Sequence, residues 1–403
     1  MSESKTILWH AGAPWAQTGY GVQTDLFRKR IETLGHKVIC SATWGLDGRA
    51  VEWDGTLVLP RDSRWGNITM PEYARRYNAD LVIALMDAWV LDPDRMRDLP
   101  LAVWTPVDHQ PTPPKVADFF RRSGARPIAM SRFGERMLTE EGLDPLYVPH
   151  GVDTSVYKPR DREQIRRLAG EEGSFIVGIV ANNAGGMPPA GGPPRKAFPQ
   201  SLMAFSNFYR SHPDAKLYIH AELSGRPGLE NGLNLAKLLD RFEIPPEAVK
   251  FTDQVQMEIG IDAEAMSLLY NSFDVLLNPS YGEGFGVPII EAQACGTPVI
   301  ASNWTAMPEL VGAGWLVEGD PTYNPAHDAF WLAPNVGDVM QALEVAYVEA
   351  SGLREKAREF ALQYDADKVL DEYWRPALEE LFKPREVAPL NREMRRKLKK
   401  EAV

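Results

Sequence analysis

Residues 278–302 read NPSYGEGFGVPIIEAQACGTPVIAS, and this stretch decides how the rest of the chain is organised. Its ends are apolar and strand-like, whereas its middle sets Glu283 and Glu291 around Gly282, Gly284 and Gly286. Pro288 suits the first position of a helix and Gly296 suits its end, so PIIEAQAC reads as a short helix between two strands. Strand, glycine loop, helix and strand together make one crossover unit of a parallel sheet. Ligands of such sheets bind beyond the carboxyl ends of the strands, where this loop lies. The helix start offers free N–H groups and a positive dipole end, and the glycines let the backbone come close to a ligand. Glu291 is expected in the first helical turn, pointing back to the same mouth. Carboxylates accept hydrogen bonds from hydroxyls, so two acids beside an anion-binding helix end suit a sugar joined to a phosphate. The bland alternative makes Glu291 a complement to the helix dipole and Glu283 a solvated loop acid.

Outward from this stretch the same rhythm repeats. TILWHAG, KVICSAT, DLVIALMD, LAVWTPVD, RPIAMSR and PLYVPHG follow one another up to residue 151, most of them separated by helix-length segments. Val22, Leu26, Phe27, Ile31 and Leu34 have amphipathic helical spacing, with Gly35 placed to end that helix. A second series, SFIVGIVAN, AKLYIHAE, AVKFTDQV, FDVLLNPS and TPVIAS, begins after residue 173. Between the two lies the polar GVDTSVYKPRDREQIRRLAGEEG, read as a linker and the first helix of the second unit. The expected organisation is α/β, with two doubly wound units in series: residues 1–155, residues 156–365, and a helical end with a basic tail over 366–403.

Bulk properties agree. A chain of 403 residues with 44% hydrophobic and 25% charged residues is long for one core. A net charge of −11 disfavours non-specific adhesion to nucleic acid. Cys40 and Cys295, both in apolar surroundings, read as buried thiols of a reducing compartment. Neither a leader peptide nor a spanning segment is legible, so a cytoplasmic location is expected.

Glu283 and Glu291 with seven residues between them, inside GEGFGVPIIEAQACGTPVIAS, resemble the signature of the retaining glycosyltransferases of family 4. VPHGVDTSVYKP is similar to that family's interdomain segment, RKAFPQSLMAF to its lysine-bearing helix start, MPELVGAGWLVEGD to the segment after the motif, and TGYGVQTDLFRKRIETLGHKV to its first loop and helix. The resemblance implies the GT-B fold, in which two Rossmann-like domains face each other across a cleft, residues 1–155 on the acceptor side and residues 156–365 binding the nucleotide sugar, and a C-terminal helix crosses back, with Trp374 and Tyr373 as its anchors. It implies that Glu283 contacts the donor sugar, that Gly284, Phe285, Gly286 and Val287 lie beside it, and that Glu291 binds the ribose. It also implies that Lys196 neutralises the diphosphate and that Gly19 and Gly21 approach the donor phosphate. His109 is carried over as a catalytic cleft residue. A departure stands at Asn182 and Asn183, where the family carries an arginine, and Arg195 is named as its substitute.

The resemblance further implies a UDP or GDP sugar as donor, a glycan, lipid-linked or protein acceptor, and no metal, since Asp-x-Asp does not occur in the donor region. The Gly/Pro-rich residues 184–194 are a loop, either a flap over the donor or an exposed connection. The basic tail, with Leu390, Met394 and Leu398 at helical spacing, is either a frayed end or a peripheral membrane contact. Other functional classes on such a scaffold are a nucleotide-sugar epimerase, a phosphorylase and a non-catalytic carbohydrate-binding protein.

Overall fold

The computed structural model describes residues 4–62, 65–183, 194–224 and 232–383. The first lobe is an eight-stranded sheet built from β1 (Thr6–Gly12), β2 (Lys37–Trp44), β3 (Val51–Trp53), β4 (Thr56–Leu59), β5 (Leu81–Leu85), β6 (Leu101–Thr105), β7 (Arg126–Ala129) and β8 (Leu146–Tyr147). Their order is 3-4-2-1-5-6-7-8, parallel except for the β3–β4 pair. The second lobe is an all-parallel sheet of β9 (Phe175–Val180), β10 (Ala215–His220), β11 (Val249–Phe251), β12 (Val275–Asn278), β13 (Val299–Ser302) and β14 (Gly314–Val317), in the order 11-10-9-12-13-14. Near-continuous apolar strands such as LVIAL and FIVGIV form because helices cover both faces of a parallel sheet.

In each sheet the chain first winds one way from a central strand and then returns to its other side. The reversal falls between β1 and β5 in the first lobe and between β9 and β12 in the second. A crevice opens at such a reversal beyond the carboxyl ends of the strands. These two crevices position the site.

Three elements were not anticipated. The β3–β4 hairpin turns at Asp54–Gly55, both at positive φ, a dipeptide that signals such a turn. Strand β14 extends the second sheet, and β15 (Gly319–Asn324) with β16 (Ala329–Pro334) form a hairpin of their own. That hairpin leaves the second lobe to pair with the first: Gln110 and Phe330 exchange both backbone hydrogen bonds, at 3.1 and 2.8 Å.

The C-terminal segment crosses back. Val152 pairs with the chain at Tyr364–Ala366, and the π-helical turn Leu370–Trp374 places Trp374 in the first lobe, fully buried. Its ring lies 5.4 Å from Trp9, 5.9 Å from Phe27 and 4.9 Å from Trp104. Tyr373 meets Tyr147 edge-on at 5.4 Å. Cys40 and Cys295 are buried free thiols, as expected. Among the described residues no helix is long and apolar enough to cross a membrane.

Candidate active site between the two lobes

The loop leaving β12 carries Glu283, which is only 6% exposed and not the solvated acid of the bland alternative. Thr305 Oγ1 accepts from its backbone N–H at 3.0 Å, and Tyr281 N–H donates to the Arg195 carbonyl at 2.8 Å. Across the β9–β12 crevice stand Arg195 and Lys196. Ala197, buried at φ +52°, turns the chain there and starts the helix Phe198–Tyr209. Lys196 Nζ donates to Glu283 Oε1 at 2.5 Å, and Arg195 Nη1 donates to Oε2 at 2.9 Å and to the Gly282 carbonyl at 2.8 Å. Burial alone would raise the Glu283 carboxyl, but Lys196 and Arg195 outweigh it and hold it down at about 2. Burial pushes Lys196 below its ordinary value in spite of Glu283. For Arg195, burial is outweighed by Glu283 and Asp108, and the guanidinium is pushed up.

The charges face the first lobe. Arg195 Nη1 lies 4.0 Å from Asp108 Oδ2, beyond the end of β6. A Cβ on Gly282 would sit 2.2 Å from the Asp108 carbonyl oxygen, and one on Gly284 would sit 2.2 Å from Pro106 Cβ. The sequence suggested that these glycines admit a ligand; they admit the opposite lobe. Gly286 differs, since its φ of +113° and its place at the helix cap demand glycine, and no side chain caps the N–H groups there.

His109 corrects an expectation. Instead of an open imidazole facing the cleft, the ring is 2% exposed and covered by the β15–β16 hairpin. Nδ1 is 2.6 Å from Asp108 Oδ1 and Nε2 is 3.0 Å from Asn324 Nδ2. Since an amide NH2 only donates, Nε2 accepts and the Nδ1 proton goes to Asp108. Trp331 stacks on the ring at 4.6 Å. In this arrangement His109 joins the lobes through Asn324 and Trp331, two residues that sequence reasoning missed because nothing local to the hairpin marks its partner.

Glu291 also differs from expectation. The helix runs Val287–Ala294, so Pro288 is its second residue and Glu291 lies in the second turn. Its carboxyl is 7% exposed and accepts from Tyr270 Oη at 2.7 Å and from Tyr157. Burial pushes it above the usual carboxylate range, and the two phenols only partly offset that. Val287 is half-buried at the helix start, while the Phe285 ring packs on His150 at 5.1 Å and Tyr364 at 5.7 Å.

Gly19 and Gly21 lie within the first turn of the helix Gly19–Glu32, not in the loop before it. A Cβ on Gly21 would meet the Ala16 carbonyl oxygen at 2.1 Å, whereas one on Gly19 would meet open space. Between them Tyr20 reaches across the first lobe's crevice to Asp87, beyond the end of β5, with Oη 3.4 Å from Oδ2. Asp87 was legible in principle: it ends an apolar strand, as Glu283 follows one. Asn183 does not replace a cation, because its amide is spent on the Glu222 and Leu233 carbonyls at 2.8 and 2.7 Å. Residues 184–193, with nearly all of the Gly/Pro loop, and the tail residues Leu390, Met394 and Leu398 lie outside the described residues. No group of three or more metal-ligating side chains occurs among the described residues.

Residues 190–326 match the family model described as glycosyl transferases group 1. The D-inositol 3-phosphate glycosyltransferase of Saccharomonospora viridis is 28% identical over 56% of this chain and 49% of its own length. The O-antigen chain mannosyltransferase B of Escherichia coli is 48% identical over a shorter stretch, 14% of this chain and 15% of its own length. The chain thus spans about half the length, or less, of the curated relatives it matches. Among solved structures, sucrose-phosphate synthase from Thermosynechococcus elongatus superposes with a TM-score of 0.73 at 17% identity, covering 94% of this chain and 99% of that one. Anabaena HepE in complex with UDP-glucose superposes with a TM-score of 0.66 at 16% identity, covering 93% of this chain and all (100%) of that one. The matched segment begins at the Gly/Pro loop before Arg195 and ends in the interlobe hairpin, so it contains the whole of the Glu283 charge cluster. Residues 190–326 are thus similar to the group 1 glycosyl transferases, and the chain as a whole has the two-lobed GT-B fold.

Proposed function

We propose that the protein is a retaining glycosyltransferase that moves a hexose from a nucleotide-diphosphate sugar to an acceptor hydroxyl by a front-face route without a metal. The observation that carries this is Glu283 held by Lys196 and Arg195 at the strand ends of the second sheet, directly opposite the first lobe. A donor's diphosphate beside Lys196 and Arg195 takes over the role that Glu283 plays for them, and frees the carboxylate for the sugar hydroxyls. As the sugar–phosphate bond breaks, negative charge grows on the leaving diphosphate, and fixed cations stabilise it more than the ground state. The uncapped start of the helix Val287–Ala294 adds to the same field. With the Glu283 carboxylate taken up by the donor sugar's hydroxyls, the leaving phosphate oxygen is the base that takes the acceptor proton, while the protein supplies position and charge.

A thermal-shift screen of UDP and GDP sugars tests this, because ligand binding raises the melting temperature by mass action. The donor should shift wild type, and Glu291→Ala should show a smaller shift if its carboxyl binds ribose. Absence of a shift with every nucleotide sugar refutes the proposal. Activity that chelator abolishes and metal restores refutes its metal-free part. Peripheral membrane contact through residues 384–403 belongs to the same proposal, and equal sedimentation of full-length and truncated protein with anionic vesicles would refute it.

A further inference from the structure

The first lobe has its own strand-order reversal, between β1 and β5, and side chains from the two strand ends span it just as Lys196 and Glu283 span the second. Tyr20 follows β1 and Asp87 follows β5. Asp87 also accepts from the Trp89 side chain, whose indole is 41% exposed and meets His327 of the interlobe hairpin at 5.2 Å. The crevice is therefore walled by an acid, a phenol and an exposed indole, and it faces the cluster where the donor's sugar is proposed to break free. Resting on that proposed function, we propose that Tyr20, Asp87 and Trp89 form the acceptor subsite, with Asp87 receiving a hydroxyl of an uncharged sugar or polyol unit whose ring lies on Trp89.

Aromatic walls with a few convergent polar groups are what binding sites for small molecules present, and a carboxylate beside an indole suits a ligand with hydroxyls on its edge and C–H groups on its face. The charge decides the class. Asp87 and Asp108 are the nearest acids on this wall, and the cation whose field acts most on Asp87 is Arg195, already held by Glu283. Burial and Asp108 push the Asp87 carboxyl up to about 6, which shows how poorly the crevice tolerates the negative charge already there. A phosphorylated acceptor would bring more. The subsite thus differs from what the name of the D-inositol 3-phosphate glycosyltransferases states for those proteins.

The test uses the full chain with UDP-glucose and GDP-mannose as donor probes, first scored for binding by melting temperature. Donor consumption is then measured with myo-inositol, methyl glucoside and methyl mannoside, and with inositol 3-phosphate and glucose 6-phosphate. The neutral probes should stimulate consumption about tenfold more than the phosphorylated ones, about what one hydrogen bond to a charged group contributes. Asp87→Asn should raise the acceptor KM about tenfold more than the donor KM, and Trp89→Ala should act in the same direction, with Trp89→Phe restoring most of the loss. If a donor probe binds but only phosphorylated acceptors stimulate, or none does, or the Asp87→Asn effect falls equally on both KM values, the inference fails while the donor assignment stands. If no donor probe binds, the proposed function fails first.

Discussion

Replacing Glu283 by Gln leaves Lys196 and Arg195 in place but removes the one carboxylate that both of them hold. Lys196 is largely buried, its side chain 16% exposed, whereas Arg195 is about a third exposed, its side chain at 34%, and keeps more water. Breaking a buried ion pair from one side costs about 3–5 kcal/mol, and the partial exposure of Arg195 argues for the lower end, about 3 kcal/mol. For a lobe of this size each kcal/mol lowers the melting temperature by about 2–4 °C, so the ligand-free variant should melt about 6–12 °C below wild type. The deficit has a sign in pH as well. Glu283 is held at about 2, below its ordinary 4.5, so its contribution is complete above 4.5 and disappears as pH falls towards 2. The gap between wild type and variant should therefore close over that interval. Nucleotide diphosphates supply the missing negative charge, and saturation at a hundred times Kd returns about 2.7 kcal/mol. Scanning calorimetry with and without UDP and GDP reads all three effects. The reasoning is refuted if the ligand-free variant melts with wild type, or if the nucleotide that shifts wild type shifts the variant less.

Three further outcomes follow from the same coordinates. Gly284→Ala puts a Cβ 2.2 Å from Pro106 Cβ, so the lobes must part, costing about 1–3 kcal/mol of overpacking and most of the turnover; Gly19→Ala, facing open space, should melt with wild type, and equal melting of both variants would contradict the close approach. Trp374→Ala empties the fully buried slot between Trp9, Phe27 and Trp104 and should cost about 3–5 kcal/mol in chemical denaturation, so a midpoint within error of wild type would show that the crossing helix does not hold the first lobe. Asp87, pushed up to about 6, destabilises the fold when ionised: the cost is absent below its ordinary 3.8, grows between 3.8 and 6 and is complete above. Asp87→Asn should accordingly raise the melting temperature at neutral pH and not near pH 4, and a gain that ignores pH would rule out the burial of that carboxyl.

The two-lobed architecture has a mechanical consequence for the site. Among the described residues, several separate devices tie the lobes: the glycine loop docked on Pro106 and Asp108, the backbone pairing of Phe330 with Gln110, the His109 ring held by Asn324, and Glu309 accepting from the Arg132 and Phe133 backbone N–H groups at 2.9 and 3.2 Å. Each is polar or small in area, so each can release for substrate exchange at modest cost. The Trp374 cluster lies apart from these and is apolar and fully buried, which suits a permanent joint.

Alternation of apolar strands with helical segments determined the two α/β units from sequence alone, because a parallel sheet buried on both faces must be written as continuous apolar runs. The same local signals located the Glu283 loop and the helix end at Gly296, since strand ends and helix starts are marked by residues a few positions away, whereas Lys196 and its neighbour Arg195 were singled out by the family resemblance. What no local signal contained was the company each residue keeps. That Gly282 and Gly284 yield to the opposite lobe, that Glu291 turns into a phenol-lined wall one turn later than expected, and that His109 is closed over by a hairpin more than two hundred residues downstream were decided only by tertiary packing. Propensity and periodicity act over a few residues, whereas burial and charge pairing act between surfaces that only the folded chain brings together.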